Sequence, residues 1–329
     1  MTARLSSMLL GVATLALATP SWAFCRATTC DPSKDLCARD SGQCLITGMP
    51  LTWASSCIQV YVQANGSPKQ GLSFDDVKGS LTRAFAAWTG ADCGGGAVPL
   101  LDVQVLGPIG CDQSEYNQTQ KNANIVMFRD DEWPYIGGED ALGFTDLHFN
   151  ADTGELWDAD IEINSVTQHY SVGTPVNGAD LDSVLTHETG HLLGLAHTLT
   201  EEATMFASYK VGTDTLATLA DDDVQAVCAA YPPDRVPSRT SCAPRHGFSD
   251  QCSADQPVNS ATDEGTNQAS AGESGSGDTT TKGCAISTLP VTRAWSWPLL
   301  VFGACAVSLV RRRSRRHQFV SCEHPRRQR

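Results

Sequence analysis

The chain has 329 residues, with 23 Lys+Arg against 37 Asp+Glu and a formal net charge of −14. That balance argues against a nucleic-acid binder, because a phosphate backbone is held by a basic surface. Thirteen cysteines argue against an ordinary cytosolic enzyme, and an odd number leaves at least one without an internal partner. The charge is also divided along the chain. Beyond Val310 lie 8 Lys+Arg and a single acid, Glu323, leaving 15 basic and 36 acidic residues before them, a balance of −21.

In chain order, residues 1–23 read as a secretory signal peptide: Arg4 supplies the positive start, Met8–Ala18 the apolar run, and Ser21 and Ala23 the small residues before a cut after Ala23. Residues 24–49 are Cys-dense, with Cys25, Cys30, Cys37 and Cys44 close together. Ten cysteines lie between the signal peptide and residue 253. An even number in an exported region reads as a disulfide framework of unspecified connectivity. The alternative, a cysteine that blocks a metal, needs a free thiolate that paired cysteines do not have.

Alternation at Ile58, Val60 and Val62, and again at Leu101, Val103 and Val105, predicts two strands. Between them, Ser73 with Asp76 predicts a capped helix start, and Phe74, Val77, Leu81, Phe85 and Trp88 form its apolar stripe. Asn124–Phe128 reads as a buried strand. Ile161 and Ile163, alternating with Asp160, Glu162 and Asn164, read as a half-buried one. A second helix begins near Asp180, and a third runs from about Asp221 to Tyr231, where Pro232 and Pro233 stop it. The expectation is a mixed α/β domain with one twisted sheet over 50–233.

The most informative segment is His187-Glu188-Thr189-Gly190-His191-Leu192-Leu193-Gly194-Leu195-Ala196-His197. On a helix, His187 and His191 point the same way, and Glu188 beside them can reach a metal-bound water without being a ligand. Gly194 tolerates positive φ, so the chain can turn back and present His197. Three protein ligands with one open position make a catalytic zinc site, whereas a structural site is closed by a fourth. Leu181, Leu185 and Leu192 would anchor the helix in the core.

This segment resembles the metzincin zinc peptidases, with signature HExxHxxGxxH followed by a methionine turn. Met205, eight residues after His197, fits that turn, and as a core methionine it would pack in much the same place. The matrixin-like branch fits best, through Thr198 and through Met205-Phe206-Ala207-Ser208-Tyr209, although Phe206 and Ala207 depart from its pattern. Leu51-Thr52-Trp53, Ala84–Trp88 and Leu219–Tyr231 resemble the same branch, so the likeness spans about 50–233. The resemblance implies an α+β fold with a twisted, mostly parallel sheet, an active-site helix and a C-terminal helix. It implies one catalytic zinc on His187, His191 and His197, Glu188 as general base, and Tyr209 in the wall of the substrate pocket. There is no PRCGxPD latency motif. The stretch Gly154–Asp160 lacks the histidine that binds a second zinc in animal matrixins. Asp158, Asp160 and Glu162 are candidates for calcium, although a solvated strand face is the commoner use of such acids.

Residues 234–282 read as a linker, Cys-containing and then, from Ser253 to Lys282, low in apolar residues. Residues 283–329 resemble the C-terminal sorting signal of myxobacterial surface proteins: Gly283-Cys284, an apolar segment over 294–310, then Arg311, Arg312, Arg313, Arg315 and Arg316. The 17-residue segment is at the short limit for a membrane span. In this reading Cys284 is the anchoring residue.

The sequence therefore predicts an exported zinc metalloendopeptidase, anchored at the cell surface or outer membrane or released. It would be monomeric, act on protein or peptide substrates and bind no nucleic acid. The rivals are an anchored adhesin that keeps the fold without catalysis, and a metzincin of another branch.

Overall fold

Alternating apolar residues on both faces of neighbouring strands require cover on both sides, and that requirement organises the molecule. A computed structural model describes residues 24–253, apart from 115, 136–137, 174 and 176–177, together with the backbone of 279–284 and 287–288. The predicted signal peptide, most of the predicted linker and the 294–310 segment with its arginines lie outside the described residues. Among the described residues no helix is long and apolar enough to cross a membrane.

The chain opens with β1 (Cys25–Arg26), β2 (Thr52–Trp53), β3 (Cys57–Gln63), α1 (Phe74–Thr89), β4 (Asp102–Ile109) and β5 (Ile125–Arg129). It continues with β6 (Gly143–Asn150), β7 (Glu155–Asn164), β8 (Tyr170–Ser171), β9 (Ala179–Asp180) and α2 (Leu181–Leu192). The last elements are β10 (Leu195–Ala196), β11 (Ser208–Tyr209), α3 (Asp221–Ala230), β12 (Thr279–Cys284) and β13 (Ser287–Thr288). The main sheet has the order β12-β6-β7-β5-β3-β4, with β2 also against β7. Its β4, β3, β5, β7 and β2 pairings are parallel, and β6 and β12 run antiparallel at one side. The expected α+β class with a mostly parallel sheet is what forms.

Ser73 and Asp76 close a reciprocal capping box on α1, and Asp180 caps α2 by accepting from the Ser183 N–H. Val60, Val62, Val126 and Phe128 enter one core with Phe85 and Trp88 of α1 and Val184 and Leu185 of α2. The alternate residues Tyr61, Ile125 and Met127 form a second cluster with Cys252, against which Phe248 packs. The period of two thus puts two cores on opposite faces of the sheet.

That second core depends on residues 234–253. Phe248 lies 4.4 Å from Tyr61, centroid to centroid, and Cys57–Cys242 and Cys111–Cys252 fix the segment covalently. The ten cysteines of residues 24–253 pair completely, the other bridges being Cys25–Cys44, Cys30–Cys37 and Cys93–Cys228. Residues 24–49 are held close to the predicted metal helix: β1 pairs with β10, and the Ala27 N–H donates to the Gly194 carbonyl at 2.9 Å.

One expectation needs correction. β7 is not half-buried, because Asp158, Asp160 and Glu162 are 0 % exposed. The chain after β4 folds over that face: Arg129 reaches the Asp112 carbonyl, and Ser114 Oγ lies 3.4 Å from Asp146. Glu162 then takes Arg129 and the Tyr135 hydroxyl, and Asp160 accepts the Ile125 N–H at 2.8 Å. A solvated strand face is therefore ruled out for these acids.

Candidate metal centre and its cleft

α2 presents His187 and His191 one turn apart on the same side, both fully buried. The helix then has to stop sharply. Gly194 has φ +83°, and a Cβ there would sit 2.5 Å from the Leu51 carbonyl oxygen, so glycine alone fits. β10 follows, and His197 comes back to face the helix. His187 Nε2 is 3.2 Å from His197 Nε2, and His191 Nε2 is 3.1 Å from it. Among the described residues, these three histidines are the group that could hold a metal.

The remaining ring nitrogens decide what those close approaches mean. His187 Nδ1 lies 2.6 Å from the Thr204 carbonyl, and His191 Nδ1 lies 3.0 Å from the Leu195 carbonyl. A carbonyl only accepts, so each Nδ1 carries the proton and each Nε2 offers a lone pair. Burial pushes both histidines well below their ordinary pKa, with the neighbouring rings adding to the effect, so they are held neutral. With His187 and His191 Nε2 both acceptors, at most one proton, on His197, lies among the three nitrogens, so they cannot all satisfy one another by hydrogen bonds. Their spacing is close to the ~3.3 Å that tetrahedral ligands at zinc–nitrogen distances of about 2.0–2.1 Å require. The donor set fits zinc.

Glu188, next to His187 on α2, points towards the start of β6. Thr145 Oγ1 donates to Glu188 Oε2 at 2.6 Å, and a Cβ on Gly143 would come within 2.8 Å of Glu188 Oε1. Glycine at 143 therefore leaves the carboxylate room against the strand.

Below the histidines, Met205 is buried and its Sδ would lie 2.3 Å from a Cβ on Gly190, so the methionine sits directly under α2. Its turn is pinned by Asp223, which accepts the Thr204 N–H at 2.7 Å, the Met205 N–H at 3.0 Å and the Ala220 N–H at 2.9 Å. Asp223 thus reaches the metal ligands at one remove, because the Thr204 carbonyl holds His187. Tyr209 is fully buried, accepts from the Asp180 N–H at 2.9 Å and donates to the Thr213 carbonyl. It braces the start of α2 while its backbone forms β11.

The end of α2 is braced as well. Trp53 Nε1 donates to the Leu192 carbonyl at 2.8 Å, the Tyr231 hydroxyl to the Leu193 carbonyl at 2.9 Å, and Trp88 Nε1 to the Thr186 carbonyl at 2.9 Å. The three segments outside the motif that carried the family likeness therefore all hold the metal helix.

Residues 112–232 match the matrixin family of peptidases. They form a matrixin-type metzincin catalytic domain. The chain is 30 % identical over 177 residues to metalloendoproteinase 1 of Glycine max, covering 50 % of this chain and 48 % of that one. It is 28 % identical over 162 residues to metalloendoproteinase 1-MMP of Arabidopsis thaliana, covering 49 % and 40 %. A shorter match, 39 % over 69 residues, joins it to human matrix metalloproteinase-20 and covers 21 % of this chain and 14 % of that protein. The chain thus spans less than half the length of these relatives. The matrixin domain holds all three histidines, Glu188, Met205 and Tyr209 of the sequence reading, and brings the first five together. The sequence reading passed over Thr145, Gly143 and Asp223. Asp223 had a readable signal, an acid at the third position of a helix, where it reaches back to pair unsatisfied N–H groups.

Proposed function

We propose that the chain is an exported zinc metalloendopeptidase that hydrolyses peptide bonds in extracellular proteins. What supports this most is the meeting of the ring nitrogens of two buried histidines, His187 and His191, with that of the half-buried His197, on a helix whose Glu188 is held by Thr145. His187, His191 and His197 would hold one zinc ion. When bound, the ion supplies Lewis acidity, lowering the pKa of water and polarising a carbonyl. Glu188 takes the water's proton on its carboxylate and hands it to the leaving amine. Thr145 keeps one carboxylate oxygen fixed, so the proton transfer has a set direction. Tyr209, fully buried at the end of β11, would back the wall of the main specificity pocket.

Export is supported by five disulfides and by the character of residues 1–23. Anchoring through Cys284 and the apolar segment after it is part of the same proposal. Calcium is a second candidate cation. Both oxygens of Asp158 and one of Asp160 are buried without a hydrogen-bond partner, although these acids do not gather into a three-ligand set among the described residues.

The decisive experiment uses Glu188→Ala. We expect it to bind zinc as the parent does and to lose nearly all casein cleavage. Cleavage at the parent rate would sink the mechanism. A parent protein that is inert with zinc and unchanged by a chelator would favour the adhesin reading.

A further inference from the structure

We infer that the cleft beside the three histidines is filled by the chain's own segments Thr279–Cys284 and Ser287–Thr288, which lie where a substrate peptide would and keep other peptides out. This rests on the peptidase reading for what the cleft does, and on backbone pairing alone for what fills it.

β6 has β7 on one side, and without β12 it would be the border of the sheet. Border strands offer unpaired N–H and C=O groups to any extended chain. β12 takes them up antiparallel, in a register from Thr279 opposite Asn150 to Cys284 opposite Thr145. That register ends at the residue whose hydroxyl holds Glu188. β13 then pairs parallel with β11, Ser287 opposite Ser208 and Thr288 opposite Tyr209. β11 follows the Met205 turn, which lies under α2. Three peptide bonds separate Cys284 from Ser287, so the pairing with β6 and the pairing with β11 follow one another closely along the chain. A strand on β6 alone would be ordinary edge cover. Pairing with β6 and then with β11 takes up the edge groups of a strand on each side of the histidine helix, as an extended peptide laid across the site would.

The composition agrees. Thr279-Thr280-Thr281 are strand-forming residues at the end of a stretch of Ser, Gly and Asp. The segment is also tied in place, because 25 residues connect Ser253, next to the disulfide-bound Cys252, to Thr279. A tether of this length gives an effective concentration on the order of millimolar. Main-chain hydrogen bonds do not depend on sequence, so the tethered segment competes with any peptide that uses the same edge.

The test uses the full chain and the double variant Thr280→Pro/Thr281→Pro. Successive strand amides point to opposite sides, so one of the two must face β6, and proline removes it. Hydrogen exchange at the amides of β6 is measured in a Glu188→Gln background, where the chain cannot cut itself. Exchange there should be slow in the parent and markedly faster in the proline variant. With Glu188 intact, the variant should cleave casein with KM lowered about tenfold and kcat unchanged, the scale of one or two lost hydrogen bonds. Thr280→Val/Thr281→Val keeps the strand and should match the parent in both readouts. Equal β6 exchange in parent and proline variant overturns the inference, as does faster exchange with unchanged KM. Faster exchange when neither protein cleaves casein upholds the occupant and sinks the peptidase reading instead.

Discussion

Asp223 touches no metal ligand, yet the structure gives it two measurable jobs. Asp223→Ala leaves three N–H groups without their acceptor, at Thr204, Met205 and Ala220. Thr204 and Met205 are 0 % and 2 % exposed, so water does not replace the carboxylate there. Each buried unpaired group costs about 1–3 kcal/mol, so the variant should lose roughly 3 kcal/mol or more. At about 2–4 °C per kcal/mol for a domain of this size, Tm should fall by about 6–12 °C. Asp223→Asn is the sharper probe. Its one remaining oxygen can keep the Thr204 and Ala220 N–H groups, which share an oxygen, but its amide then faces the Met205 N–H. The Thr204 carbonyl holds His187 at 2.6 Å, so a shift of this turn misaims a ligand. Loss of such supporting partners lowers metal affinity about 10–100-fold. Scanning calorimetry with and without zinc, together with competition against a chromophoric chelator, measures both effects. An Asn variant that binds zinc within about twofold of the parent and melts at the same temperature would refute the reasoning.

Thr145→Val removes the hydroxyl that donates to Glu188 at 2.6 Å while keeping the side chain's shape. A hydrogen bond to a charged group contributes about 1.5–3 kcal/mol, so kcat should fall about 10–100-fold with zinc content unchanged. An equal loss of bound zinc would point to a structural role instead. Asp158 is fully buried, and its pKa is pushed well above the carboxylate range, first by burial and then by Asp160 and Asp146. A raised folded-state pKa means stability that is present in acid and lost as pH rises from about 4. Asp158→Asn removes that loss, so its Tm advantage should grow steadily between pH 4 and 7, by roughly 2–4 °C for each kcal/mol regained. If calcium raises the parent's Tm and the Asn variant abolishes the rise, the acids bind calcium and this account of Asp158 fails.

The sequence foretold the elements wherever one interaction dominates. The cap at Ser73, the stripe on α1, the alternation in β3 and the stop at Pro232 depend on neighbours within a few residues, and all four form where expected. The metal helix was legible for the same reason, since ligands four apart share a helix face. What was hidden depends on distant partners. β7 looked half-buried because nothing local shows that the chain after β4 folds over it. Residues 234–253 have linker-like composition, but their role as cover for Tyr61 and Ile125 needs the Cys57–Cys242 and Cys111–Cys252 bridges. Thr145 is one of many threonines until β6 places it against Glu188.

The disulfides also bear on how the chain would survive the peptide cutting proposed for it. Cys57–Cys242 spans a separation of 185 residues and Cys111–Cys252 one of 141. A single nick between residues 57 and 252 therefore frees no fragment, and Cys25–Cys44 gives the same protection at the amino end. Among the described residues, the short stretch between Cys44 and Cys57 and the residues after Cys252 are spanned by no bridge. Nicked molecules would travel with intact ones until reduced. Wear would accumulate as hidden cuts in a molecule that still holds its shape.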